Sequence, residues 1–333
     1  MAVTGKDILE AKKILEHNDL VAIPTETVYG LAGNALSEEA VLKIFMVKNR
    51  PVFDPLIVHT YDFSKISEYV ADIPEKALVL AEKFMPGALT LLLPKKAIIP
   101  DLVTSGLDNV AIRIPNHPLT LELLQNLDFP LAAPSANPFG YISPTTALHV
   151  ENQLGSKISY ILDGGEATVG IESTIVGFEE GEAIVYRLGG ISIEAIEGLI
   201  GRVKMMAYSS SDPKAPGMLK SHYAPRKKVF LSQKPATQTK EPKSSDIILK
   251  DITDTYGTKQ VGILNFCQIY LQLQESSQLV LSENSSLEEA ARNLFAMLRK
   301  LDSMPIEVIF AELLPETGIG RAINDRLRRA AAE

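Results

Sequence analysis

Lysines, arginines and small hydroxyl residues recur at strand ends in this chain, in surroundings that suit an anionic ligand better than a nucleophile. "PTETVYGLAG", from Pro24, follows a strand-like run and offers two threonines, a glutamate and glycines that let a ligand approach the backbone. It reads as a binding loop centred on Thr27, or, more plainly, as a glycine-punctuated turn. In "KNRPVFDPLIVHT", Lys48 and Arg50 end a helix, Pro51 stops it, and the chain turns into a strand carrying His59. Basic residues there can simply complement the helix dipole. They can also form a phosphate clamp, with lysine as a point charge and arginine as a planar fork.

"VAIRIP" sets Arg113 in an apolar strand, where an unpaired guanidinium is very costly. It must meet an acid of the protein or an anionic ligand. "APSANPFGYISPTTA" fixes Ser135, Asn137 and Ser143 on a loop stiffened by proline and glycine, as donors and acceptors for a nucleotide or an amino acid. "GIESTIVGF" and "AIVYRLGG" add Ser173 and Arg187. The sequence has no Ser–His–Asp order, Walker loop or dinucleotide fingerprint. Cations and hydroxyls without a nucleophile point to catalysis by positioning and electrostatics.

The elements that must hold these residues alternate. Apolar, β-branched runs such as "PLIVHT", "ALTLLLP", "VAIRIP", "STIVGF" and "AIVYRL" read as strands. "SEEAVLKIFMVKNR" and "IPEKALVLAEKF" read as helices, the first capped by Ser37 and the second with Pro74 in its first turn. This predicts an α/β domain over residues 1–203, a linker over 204–228 and a smaller α/β domain over 229–333. The second domain carries "KVFL", "VGILNF", "QLVLS" and "EVIFAELL", with helices in "SLEEAARNLFAMLRKL" and "GIGRAINDRLRRAA". "SQKPATQTKEPKSS" within it reads as a polar loop.

At 333 residues, 46% hydrophobic and 22% charged, the chain is a globular protein of two-domain size. No apolar run approaches the roughly 20 residues of a membrane span, and the acidic, amphipathic start fits neither a signal nor a transit peptide. The single Cys267 excludes an internal disulfide framework and a multi-cysteine zinc site, and the five histidines lack metal-ligand spacing. A reducing cytoplasm is the expected home. A net charge of −8 argues against general electrostatic binding of nucleic acid, though not against a local basic cleft.

The linker is unusual. "APGMLKSHYAP", from Ala215, holds Met218, His222 and Tyr223 between prolines, whereas a passive tether needs only solvated residues. A lid folding over the first domain is expected, with docking of the two domains as the alternative.

"PTETVYGLAG", "KNRP…DPL", "APSAN…G…SPT" and "GIESTIV", in this order, resemble the YrdC-like domain. "PGM…HYAP" and "AINDRLRRAA" resemble the long, two-domain form of that family, the threonylcarbamoyl-AMP synthases. The resemblance implies a twisted mixed-sheet domain with an open concave cleft, followed by a Rossmann-like α/β domain. It implies ATP, L-threonine and bicarbonate as substrates, with magnesium carried on the ATP phosphates. Thr27, His59, Arg113 and Ser173 would hold threonine. Lys48, Arg50, Ser135, Asn137, Ser143, Arg187 and Tyr223 would surround the nucleotide, with Lys48 and Arg50 catalytic. The product would feed threonylcarbamoylation of the tRNA adenosine beside the anticodon by partner proteins, with at most transient tRNA contact.

Three positions depart from the family pattern. Asn49 stands where glycine is usual, Asp54 where Asn or Lys is common, and "RLGG" replaces Arg-Pro-Gly. A carboxylate at Asp54 repels phosphates unless it turns away or meets a cation. Two other readings compete with the synthase. A carbamoyl-transfer enzyme of the hydrogenase-maturation type would carry cysteine-rich zinc fingers. A non-catalytic RNA-binding module would need basic and aromatic residues interleaved on its surface.

Overall fold

The computed structural model describes residues 1–206, 213–219, 222–236, 247–270 and 277–332, and these form two compact units. The first unit comprises Met1–Phe139 and Ser143–Leu219; the second comprises Gly140–Ile142 and Lys220–Glu333.

The first unit opens with β1 (Val3–Gly5), α1 (Ile8–Glu16), β2 (Val21–Ile23), β3 (Gly30–Asn34) and α2 (Glu38–Lys48). It continues through β4 (Ile57–His59), α3 (Phe63–Tyr69), α4 (Glu75–Phe84), β5 (Leu89–Pro94), α5 (Asp101–Thr104) and β6 (Asn109–Arg113). Then follow α6 (Pro118–Gln125), β7 (Leu131–Ala132), α7 (Ala147–Leu154), β8 (Tyr160–Leu162), β9 (Thr174–Glu179) and β10 (Glu182–Arg187). It closes with α8 (Ile193–Ile200) and β11 (Lys204–Met205). Among the described residues the sheet has eleven strands in the order β1-β8-β2-β3-β7-β4-β6-β5-β9-β10-β11, with parallel and antiparallel pairs mixed.

Strand periodicity divides this sheet cleanly. Val58, Leu91, Leu93, Val110, Ile112 and Val176 enter the large core, which also takes in Val41, Ile44, Leu80 and Ile196 from the helices. Their strand neighbours Ile57, Leu92, Ala111, Ile175 and Ile184 point the other way. Over this half of the sheet, among the described residues, the opposite face is covered by Ala215 and Met218 from the segment after β11. Over the β1–β2 half, α1 and α6 supply Leu15, Leu123 and Leu124.

Local sequence explains the ends of α2. Ser37 Oγ accepts from Ala40 N at 3.3 Å, and Glu38 and Glu39 occupy the positive end of the dipole. The helix ends in Asn49 at φ 53°, ψ 41°, a left-handed conformation that glycine adopts freely and asparagine tolerates. The departure from glycine at this position therefore preserves the cap.

The second unit is a doubly covered sheet built from β12 (Lys228–Leu231), α9 (Ile247–Tyr256), β13 (Val261–Asn265) and β14 (Gln278–Val280). It is completed by α10 (Leu287–Ser303), β15 (Val308–Ala311) and α11 (Gly320–Ala330). The order β12-β15-β13-β14 is parallel throughout, the Rossmann-like arrangement expected of this region. Residues 207–212, inside the segment read as a linker, lie outside the described residues, as do Lys220 and Ser221 of its motif and residues 237–245 of the polar loop. Within the segment read as a linker, Lys204–Met205 pairs with β10 as a strand and Lys228 opens β12.

Candidate active site

The half of the first sheet's face that Ala215 and Met218 cover carries much of the chemistry. His59 shares its face with Ile57, Arg113 with Ala111, Thr90 with Leu92, and Ser173 with Ile175, because residues two apart on a strand point the same way. Parallel pairing of β4 with β6 sets His59 directly beside Arg113.

Arg113 is buried and fully committed at one edge. It forms an ion pair with Glu26 Oε1 at 2.6 Å, donates through Nη1 to Thr27 Oγ1 at 2.9 Å, and through Nε to the Gly87 carbonyl at 3.1 Å. The acid demanded by an arginine in an apolar strand is therefore Glu26, whose second oxygen accepts from Asn116 N at 3.0 Å. Three of the five guanidinium N–H bonds are used in these contacts, and two remain for a ligand carboxylate. Thr25 fixes the loop around Thr27: its Oγ1 donates to Val28 O at 2.7 Å and accepts from Thr27 N and Val28 N.

His59 is held neutral. Burial, then the neighbouring Arg113 charge, push its pKa from 6.5 down to about 3. Nδ1 lies 3.1 Å from the Ile57 carbonyl, so Nδ1 carries the proton and Nε2 presents a lone pair.

Ser173 and Arg187 form a second cluster. Arg187 donates from Nη2 to Ser173 Oγ and from Nε to Ser173 O, both at 3.0 Å, and Ser173 Oγ lies 2.7 Å from Thr90 Oγ1. Arg187 Nη1 also reaches the Pro216 carbonyl at 3.4 Å, tying this cluster to the segment over the sheet. The loop after β10 needs glycine at Gly189, because an added Cβ would lie 2.3–2.4 Å from backbone atoms of Glu172, Ser173 and Thr174. The glycine that matters in "RLGG" is therefore kept.

Lys48 and the loop after β7 form a third cluster. Lys48 Nζ donates to the carbonyls of Ser135 and Asn137, each at 2.5 Å, while Phe139 N donates to Lys48 O at 2.8 Å. Burial, followed by the Arg50 charge, lowers the Lys48 pKa well below the usual lysine range, and Asp54 opposes the shift. Across the loop, Ser143 Oγ donates to Glu172 Oε1 at 2.6 Å.

Asp54 does meet a cation. Its Oδ2 lies 2.9 Å from Arg50 Nη2, while Arg50 also donates to the carbonyls of Asp54 and Pro55 at 3.0 and 2.8 Å. Oδ1 is 3.5 Å from Gly217 N. The carboxylate that seemed hostile to phosphate thus orients Arg50 and faces the segment over the sheet.

Tyr223 belongs to the second unit. Its ring centroid lies 5.6 Å from that of Phe295 and 4.8 Å from the Arg329 guanidinium carbon, and its backbone is left-handed at φ 65°. Sequence reading missed Glu26, Thr90 and Glu172 as site residues. The glutamate of "PTET" was visible, but its partner Arg113 lies 87 residues away and nothing local announces the pair. Among the described residues, no group of three or more His, Cys, Asp or Glu could hold a metal ion.

Buried arginines and hydroxyls thus gather on one face of the first sheet. Residues 13–189 match the Sua5–YciO–YrdC family model, described as telomere recombination, and residues 191–332 match the model of the threonylcarbamoyl-AMP synthase C-terminal domain. The chain belongs to the Sua5–YciO–YrdC family. It is 40% identical over 325 residues to the threonylcarbamoyl-AMP synthase of Pyrococcus abyssi, covering 96% of this chain and 93% of that one. With the Bacillus subtilis threonylcarbamoyl-AMP synthase it shares 38% identity over 335 residues, covering 99% and 94%. The crystal structure of P. abyssi Sua5 complexed with L-threonine matches at a TM-score of 0.89 and 37% identity, covering 99% of this chain and 97% of that chain. Full-length HypF in its phosphate- and nucleotide-bound form matches at 22% identity and a TM-score of 0.50 over 56% of this chain, a likeness of fold alone.

Proposed function

We propose that this chain is a threonylcarbamoyl-AMP synthase, consuming L-threonine, bicarbonate and ATP and releasing pyrophosphate and water. The observation that carries the reading is the likeness along nearly the whole chain to the P. abyssi structure complexed with L-threonine. Threonine amine and bicarbonate give a carbamate with loss of water. A carbamate oxygen then attacks the α-phosphorus, and the bond to the β-phosphate oxygen breaks as pyrophosphate leaves.

The residues divide this work. Arg113 takes the threonine carboxylate on its two remaining N–H bonds, with Glu26 and Gly87 fixing the plane of the fork. The neutral His59 ring accepts a hydrogen bond from threonine rather than repelling its ammonium group, and the Thr27 and Ser173 hydroxyls complete that subsite. Arg50 and Arg187 offset the repulsion between carbamate and triphosphate and hold the two in line, while Lys48 holds the carbonyls of Ser135 and Asn137. Ser135, Asn137 and Ser143 surround the nucleotide. The strap Ala215–Met218, seated on Ile57, Leu92 and Tyr186, shields the mixed anhydride from water.

Magnesium suits this site as an ion carried in on the triphosphate. Asp54 and Glu172 are engaged with Arg50 and Ser143, so phosphate oxygens and water are the natural ligands of the ion. The product's use is threonylcarbamoyl transfer to the tRNA adenosine beside the anticodon by partner proteins in the cytoplasm. Among the described residues no helix is long and apolar enough to cross a membrane. Pyrophosphate release tests the reading: it should require both L-threonine and bicarbonate, and release that ignores threonine would overturn it.

A further inference from the structure

A row of polar side chains crosses the first sheet from β4 to the start of β9. Parallel pairing sets His59 of β4 beside Arg113 of β6. Leu91 of β5 opposes Ile112, so Thr90 is the residue alongside Arg113 on the same face. On the other side of β5, Thr90 pairs with Ile175 of β9. Ser173 stands just before β9, with its Oγ 2.7 Å from Thr90 Oγ1.

Thr90 and Ser173 are both fully buried. Each hydroxyl carries one hydrogen and two acceptor sites. Arg187 Nη2, which can only donate, fills one acceptor site of Ser173 Oγ at 3.0 Å. The two hydroxyls share one contact, which uses one of their two hydrogens. Among the described residues, no protein acceptor takes the other. A buried hydroxyl hydrogen left without an acceptor is costly and uncommon. The surroundings decide which hydroxyl holds it. Thr90 is flanked on its face by Leu92 along the strand and by Ile175 across from it, both apolar, and by Arg113, whose guanidinium offers only donors. Thr90 therefore donates to Ser173. Both acceptor sites of Ser173 Oγ are then filled, and its own hydrogen is left for a ligand oxygen.

We infer that Thr90 is a positioning residue of the threonine subsite, orienting the Ser173 hydroxyl as an obligate donor to an oxygen of bound L-threonine. The inference rests on the threonine-binding role proposed above for Ser173. A serine hydroxyl with an open acceptor site serves donors and acceptors alike, and fixing its rotation on binding costs entropy. With both sites filled, Ser173 is set before the substrate arrives. It favours a carboxylate or hydroxyl oxygen and offers no acceptor to the ammonium group. Thr90 touches no substrate, so its effect passes through Ser173 alone.

Calorimetric titration with L-threonine and with Mg-ATP, alongside steady-state kinetics in both, provides the test. Thr90→Val keeps the shape of the side chain and removes its hydroxyl. It should weaken threonine binding and raise its KM roughly three- to tenfold, with Mg-ATP affinity unchanged. Thr90→Ser restores the donor and should recover most of that loss. In a Ser173→Ala background, Thr90→Val should add less than about twofold, because the hydroxyl it orients is gone. Thr90→Ala gives the same reading if Thr90→Val does not fold. Suppose the wild type binds threonine. A Thr90→Val variant that binds it equally well, that loses Mg-ATP to the same extent, or whose loss adds in full to that of Ser173→Ala would then overturn the inference alone. Wild-type protein that fails to bind L-threonine would overturn the proposed function as well.

Discussion

Arg113 shows how a residue can be structural and functional at once. Its pairing with Glu26, both buried, means that Arg113→Ala strands a carboxylate and should cost about 3–5 kcal/mol of stability. Arg113→Lys is the sharper probe, since it keeps the charge and loses the fork. A charge-assisted pair contributes about 1.5–3 kcal/mol, so the KM for threonine should rise roughly tenfold or more while the KM for ATP stays level. The converse pattern is expected from Arg50→Ala combined with Asp54→Asn, which avoids an orphaned buried charge. ATP turnover should fall on the order of 10²-fold with threonine binding retained. Steady-state kinetics on both proteins decide this, and exchanged patterns would reverse the two subsites.

His59 belongs to the same scale. Its folded value, about 3, lies below its ordinary 6.5, so in that interval the unfolded chain binds more protons. The stability owed to the neutral buried ring is full above pH 6.5 and is lost as pH falls towards 3, at up to about 1.4 kcal/mol per pH unit. Urea midpoints measured from pH 7 to pH 4 should fall less steeply in His59→Gln than in the wild type. Identical slopes would show that the ring titrates normally.

At the scale of elements, the strands rich in β-branched residues were legible, and so was α2 with its Ser37 cap. β3 was not: "GLAGN" has poor strand propensity and reads as part of a binding loop. Its pairing is imposed by β2 and β7, and a Cβ at Gly33 would lie 2.9 Å from Leu20 Cδ2. β11 escaped for a related reason, since two exposed residues carry no periodicity and only their pairing with β10 reveals them. The site residues announced by their own oddity, such as Arg113, could be found from sequence. Those that answer them from a distance, Glu26 and Thr90, could not, because only the strand order of the sheet brings them near.

The strap after β11 belongs to this scale as well. Met218 packs on Ile57, Leu92 and Tyr186, while Pro216 and Gly217 face Arg187 and Asp54. Met218→Ser removes the apolar hold but leaves the backbone contacts. It should shorten the lifetime of the adenylate and lower threonine-dependent turnover severalfold. Rapid-quench chromatography of the product checks this, and unchanged lifetime and turnover would reduce the strap to a tether.

At the scale of the whole molecule, one unit is a mixed sheet that carries the cations and hydroxyls, and the other is built on a parallel sheet. The family resemblance is spread along almost the entire chain in the same way, with one model matching residues 13–189 and another 191–332. The central claim is that these residues join threonine, bicarbonate and ATP into one labile adenylate. Mass spectrometry of a rapidly quenched reaction with Mg-ATP, L-threonine and isotopically labelled bicarbonate tests it most directly. The account predicts an adenylate heavier by the bicarbonate label, appearing together with pyrophosphate and only when threonine is present. Pyrophosphate without a labelled adenylate, or a labelled product formed in the absence of threonine, would contradict it.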